Sequence, residues 1–154
     1  MTRDNAVPTV LVAEDHNYDQ MILKEVFSRA GIRADLRFVN DGEQMLDYLH
    51  RRGRFAEALS APTPALILLD LNMPRLDGRK VIRMLREDDT IRHLPVIALS
   101  TSESIKHITE AYSIGINAYL VKPANIPDYV TKINSLWQFW MVAASLPVVE
   151  TSPS

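Results

Sequence analysis

Ala65-Leu66-Ile67-Leu68-Leu69-Asp70 is a run of five apolar residues that ends on a carboxylate. It is too short for a helix and reads as a strand buried on both faces, the kind that parallel sheets contain. Three more runs share the form, at residues 10–13, 96–99 and 118–121. Residues 34–39 are weaker, with Asp35 and Arg37 alternating with apolar residues, as an edge strand would show. Helix-period segments lie between the runs. Met21, Ile22, Val26 and Phe27 mark a first helix that Gly31 ends; Met45, Leu46 and Leu49 mark a second. Val81, Ile82 and Leu85 mark a third, entered after Asp77-Gly78. Ile105, Ile108, Ala111 and Tyr112 mark a fourth, stopped near Gly115, and a fifth runs from about Pro127 to Val142. Five β-α alternations imply a right-handed, doubly wound α/β sheet with its polar groups at the strand C-termini.

Composition narrows the classes. The 154 residues fit one domain, and 47% hydrophobic with 23% charged residues describe a globular chain. A net charge of −2 argues against nucleic acid or an anionic membrane as the main partner. The absence of cysteine excludes thiol catalysis, disulfides and thiolate metal centres. The N-terminus is no signal peptide and no apolar stretch spans a bilayer, so a cytoplasmic protein is expected. Residues 1–8 read as a tail, 9–145 as the domain and 146–154 as a second tail, with residues 51–64 an exposed loop.

The strand ends carry the chemistry. Glu14 and Asp15 end the first strand, Asp70 the third, Ser100 and Thr101 the fourth, and Lys122 the fifth. In a parallel sheet these ends meet in one crevice. Three crowded carboxylates call for protonation or a cation, and oxygen donors alone suit Mg²⁺. A nucleophilic carboxylate, a metal, a lysine and a hydroxyl are the parts that phosphoryl transfer requires.

Asp70-Leu-Asn-Met-Pro-Arg-Leu-Asp-Gly78 resembles the D-x-x-M-P-x-x-D-G segment of response-regulator receiver domains, and Glu14-Asp15, Ser100, Tyr119 and Lys122-Pro123 follow in receiver order. The resemblance covers residues 9–142. It implies a flavodoxin-like fold of five helices and five parallel strands in the order 2-1-3-4-5. It also implies that Asp70 accepts a phosphoryl group from a sensor histidine kinase. Glu14, Asp15, Asp70 and the main-chain carbonyl of Asn72 would hold Mg²⁺, Lys122 and Ser100 would contact the phosphoryl oxygens, and Tyr119 would change rotamer as a switch. The Lys122-Pro123 bond is often cis in the family. The long loop before the third strand, the Leu-Leu-Asp-Leu-Asn-Met-Pro wording and Trp137-Gln-Phe-Trp140 are most similar to small stand-alone regulators that serve bacterial phytochromes. Thr101 and Ala124 depart from the common pattern, which has alanine and phenylalanine there.

Each residue also has a plainer reading. Asp77-Gly78 shapes the turn into the third helix, Ser100 alone would serve as an N-cap, and Tyr119 alone would be a core aromatic. His16, His50, His93 and His107 have no metal-ligand spacing, although His16 adjoins the acidic pair. Met21, Met45, Met73, Met84 and Met141 read as core filling. An aspartate-nucleophile phosphatase on a similar fold is the alternative, but Asn72 stands where such an enzyme needs a proton donor. A flavin carrier lacks its phosphate loop. With no effector domain expected, the signal must leave through a surface. Residues 133–149 carry no charge, and Trp137 and Trp140 exceed what one inward stripe can hide. A homodimer through this helix, the fifth strand and residues 146–149 is therefore expected.

Overall fold

The computed structural model describes residues 7–57, 60–73 and 77–147. Five parallel strands, β1 (Thr9–Ala13), β2 (Asp35–Val39), β3 (Leu66–Asp70), β4 (Val96–Ser100) and β5 (Ala118–Val121), stand in the order β2-β1-β3-β4-β5. The helices are α1 (Asn17–Arg29), α2 (Gly42–His50), α3 (Gly78–Glu87), α4 (Ile105–Ser113) and α5 (Ile126–Trp137), the last continued by a π-helical turn over Gln138–Ala143. The expected order, strand count and helix count are all observed. Every residue of β1, β3 and β4 is buried, because helices cover both faces of the sheet's centre.

Period two divides the strand residues between two cores. Leu11, Ala13, Ile67, Leu69 and Ala98 face α2, α3 and α4, where Met45, Ile82, Leu85 and Ala111 meet them. Val10, Val12, Leu68, Ile97 and Leu99 face α1 and α5, where Leu23, Val26, Phe27, Tyr129 and Ile133 complete the layer. A fully buried leucine such as Leu68 contributes about 2 kcal/mol. Side chains fix where most helices begin. Asp41, Asp77, Ser104 and Asn125 cap α2, α3, α4 and α5, each accepting a main-chain N–H three residues on. Asp77 therefore has the turn-shaping place expected of it, and Ser104 rather than Ser100 is the cap. α1 ends as its glycine predicts, with Gly31 left-handed at φ +69 and the N–H of Ile32 donating to Phe27 O.

Several expectations need correction. Met21 is 65% exposed and Met84 44%, so among the described residues only Met45 and Met73 are buried core methionines. Ile105 and Tyr112 of α4 are exposed, leaving Ala111 as that helix's buried residue. Trp137 and Trp140 are half-buried and pack on the α1–α5 core; the exposed bulk of this segment is Phe139 and Val142. Trp137 meets Phe27 edge to face at 6.1 Å. The Lys122-Pro123 bond is trans, as are all peptide bonds among the described residues. The expected tails at 1–6 and 148–154, and Pro74–Leu76 of the motif, lie outside the described residues. None of the described helices is long and apolar enough to cross a membrane.

Candidate phosphoacceptor and cation site

The parallel sheet delivers its strand ends to one place. The N–H of Glu14 donates to Val39 O at 2.9 Å, and that of Lys122 to Ser100 O at 2.8 Å, so both residues extend the ladders past the strands. Glu14 is 1% exposed, and Asp70 and Ser100 are 3% exposed each. A buried carboxylate persists only with partners. Lys122 Nζ donates to Asp70 Oδ2 at 2.7 Å and lies 3.6 Å from Glu14 Oε2. The N–H of Asn72 donates to Asp70 Oδ1 at 2.8 Å, and that of His16 to Glu14 Oε1 at 3.0 Å. His16 thus acts on the acidic pair through its main chain, while its ring is exposed.

Charge divides unequally between the two buried acids. Burial, then the hydrogen bond and the charge of Asp70, push the Glu14 carboxyl up to about 8. Burial alone would raise Asp70 too, but hydrogen bonds from Glu14, Lys122 and the Asn72 N–H outweigh it and hold Asp70 below the usual carboxylate range. A proton shared by the pair is therefore favoured on Glu14 over Asp70. Asp70 is left as a buried, ionised carboxylate beside an ammonium group.

Ser100 closes one side. Its Oγ accepts the N–H of Ser102 at 3.1 Å, and Tyr119 donates its hydroxyl to Ser102 O at 2.8 Å. Tyr119 is half-buried against the α2–α3–α4 core. Thr101 is exposed and its N–H donates to the side-chain oxygen of Asn72 at 3.1 Å, which ties the loops after β3 and β4 together. A cleft of about 420 Å³ opens beside Ser100, Asn72 and Tyr119. Ala124 is exposed.

The donor set fits a hard divalent cation. Carboxylate oxygens of Glu14, Asp19 and Asp70 lie within 4.8 Å of one another, and Asp15 Oδ1 is buried without a partner. Oxygen donors without thiolate or imidazole select Mg²⁺, Mn²⁺ or Ca²⁺. The structure therefore brings Glu14, Asp70 and Lys122 together, with Ser100 joined to Lys122 through the main chain, and Asp15 is not among the grouped carboxylates. Asp19 and Tyr129 went unread in the sequence. Tyr129 backs the site from α5, where burial, then the charges of Asp70, Glu14 and Asp19, hold its phenol above the ordinary range. The signal for Asp19 was its place four residues after Asp15, in the first turn of α1.

Comparison with known proteins agrees with this geometry. Residues 10–134 match the family described as response regulator receiver domain. Response regulator Rcp1 of Synechocystis is 30% identical over 143 residues, covering 93% of this chain and 95% of that protein. Its Mn²⁺-bound form superposes with a TM-score of 0.78 over 92% of this chain and 99% of that one. Response regulator RPA3017, in red light signaling of R. palustris, shares 74% identity with a TM-score of 0.91, over 92% of this chain and 99% of its own. The phosphorylated cyanobacterial phytochrome response regulator RcpA shares 32% identity with a TM-score of 0.82, over 93% of this chain and all of that one. On the family match, the strand order and the acid–lysine–hydroxyl site together, the chain belongs to the response-regulator receiver domains of two-component signalling.

Proposed function

We propose that Asp70 accepts a phosphoryl group from the phosphohistidine of a phytochrome-type sensor histidine kinase, and that the chain then signals by a conformational change at a protein interface. The observation that carries this reading is the 2.7 Å contact of Lys122 with the buried Asp70 at the strand ends. In the transfer, a carboxylate oxygen of Asp70 bonds to phosphorus as the phosphorus–nitrogen bond breaks, and the imidazole, already protonated on its other ring nitrogen, leaves neutral. Lys122 orients the nucleophile and then pairs with the phosphoryl oxygens, and Ser100 turns its hydroxyl toward them. Glu14, Asp15, Asp70 and the carbonyl of Asn72 are the residues that would hold Mg²⁺. When bound, the cation neutralises charge on the transferring group. Asn72 offers no proton for repeated turnover, which favours a stored acyl phosphate over a phosphatase. The likeness to RPA3017 and RcpA supports a red-light input to a cytoplasmic regulator.

The partner surface in this reading is a second copy of the chain. Trp137 and Trp140 form the packed base of the α5 end, and Phe139 and Val142 supply its exposed apolar area. The phosphoacceptor assignment is tested by mixing the protein with a labelled phytochrome kinase: wild type takes the label and Asp70→Asn takes none. Label on Asp70→Asn would overturn the assignment.

A further inference from the structure

Asp19 is not among the residues that the family resemblance assigns to the cation. It is the third residue of α1, half-buried, and one of its carboxylate oxygens lies within 4.8 Å of those of Glu14 and Asp70. Among the described residues it forms no ion pair, whereas Glu25 on the same helix pairs with Arg29 at 2.7 Å. An acid in a first turn is ordinarily explained by the positive end of the helix, which rewards it in any exposed orientation. Asp19 instead stands against two other carboxylates. A helix terminus gives no reason for that placement; a shared cation does. A second observation points the same way. At the neighbouring strand end, Asp15 Oδ1 is buried and unpartnered, an acceptor that a cation or one of its waters would satisfy.

We infer that Asp19 is an oxygen donor of the divalent-cation site, joining Glu14, Asp15 and Asp70. The inference rests on the cation reading given under Proposed function. It carries a preference among ions: Mg²⁺ binds one or two carboxylates and keeps several waters, so an added carboxylate helps the more easily dehydrated Mn²⁺ more.

The test is Mn²⁺ binding to the metal-free protein, followed by loss of the free-ion paramagnetic resonance signal, with Mg²⁺ read by competition. Asp19→Asn weakens Mn²⁺ binding by about tenfold and Mg²⁺ binding by less. Glu25→Gln removes the same charge from α1 away from the cluster and changes binding by no more than about twofold. In chelator, Asp19→Asn melts no lower than wild type, because it relieves crowded charge; a merely structural role would lower the melting temperature. Equal binding by Asp19→Asn and Glu25→Gln, with Asp70→Asn impaired, overturns the inference and leaves the cation reading standing. Unchanged binding by Asp70→Asn overturns the cation reading, and Asp19's role with it.

Discussion

At the scale of single residues, the site is a problem of excess negative charge, solved in the metal-free protein by one lysine and one proton. Glu14, with its carboxyl pushed up to about 8, holds that proton through the neutral range. Between the ordinary value of 4.5 and about 8, the folded state binds more protons than the unfolded state. Metal-free stability therefore falls as pH rises through this window. A cation must displace the same proton, so Mg²⁺ affinity rises from pH 6 to 8 and levels off above. Glu14→Gln should flatten both dependences, as calorimetric titration and thermal melts at pH 5.5 and 8.5 would record. The meeting of Glu14, Asp70 and Lys122 was legible in the sequence because strand ends in a parallel sheet converge and the motif spacing fixes which ends. The unequal ionisation of Glu14 and Asp70 was not legible, since it depends on a hydrogen bond across two strands. Asp19 was hidden for a related reason: an acid at a helix start has a local explanation, and only the fold turns it toward Asp70.

At the scale of elements, the strands were plain because both faces of the sheet are covered, so β1, β3 and β4 read as continuous apolar runs. β2, at the edge and half-buried, kept its charged alternation at Asp35 and Arg37, which pair at 3.0 Å. The helices were less plain. The apolar period of α4 marks a helix, but of its stripe only Ala111 is buried, and Ile105 at 80% exposed faces water. The joint between α3, β4 and β5 was not legible either. Arg86 donates to Gly115 O, Arg92 O, Leu94 O and Asn117 Oδ1, at 2.9, 2.7, 2.9 and 2.7 Å, fastening the α3–β4 and α4–β5 connections with one fork. Lysine has no such fork, so Arg86→Lys should cost about 2 kcal/mol in urea unfolding. Gly115 sits at φ +114, and an added Cβ would lie 3.1 Å from Arg86 Cγ. Gly115→Ala should destabilise as well, by about 1 kcal/mol or more. Urea midpoints for both variants within error of wild type would remove Arg86 as the fastening residue.

At the scale of the whole molecule, the site and the α5 end must communicate for the chain to act as a switch. Lys122 follows β5, and Lys132 of α5 donates to Val121 O at 2.9 Å, so a shift at the strand end reaches the helix that leads to Trp137 and Trp140. Phe139→Glu places a charge on an exposed side chain without touching the core, and it should leave the fold intact while shifting sedimentation from dimer to monomer. Trp140→Glu should do the same at some cost in stability, since that ring is half-buried. A monomer for wild type at micromolar concentration, with and without a phosphoryl analogue, would remove the dimer from the reading. The central claim, that Asp70 stores the phosphoryl group, has a more direct test. Phosphorylate the protein with a small acyl phosphate in Mg²⁺, reduce it with borohydride, and locate the reduced residue by peptide mass spectrometry. Reduction of an aspartyl phosphate gives homoserine, expected at position 70 alone and only when Mg²⁺ is present. Homoserine at another aspartate, or none at position 70, would contradict the account.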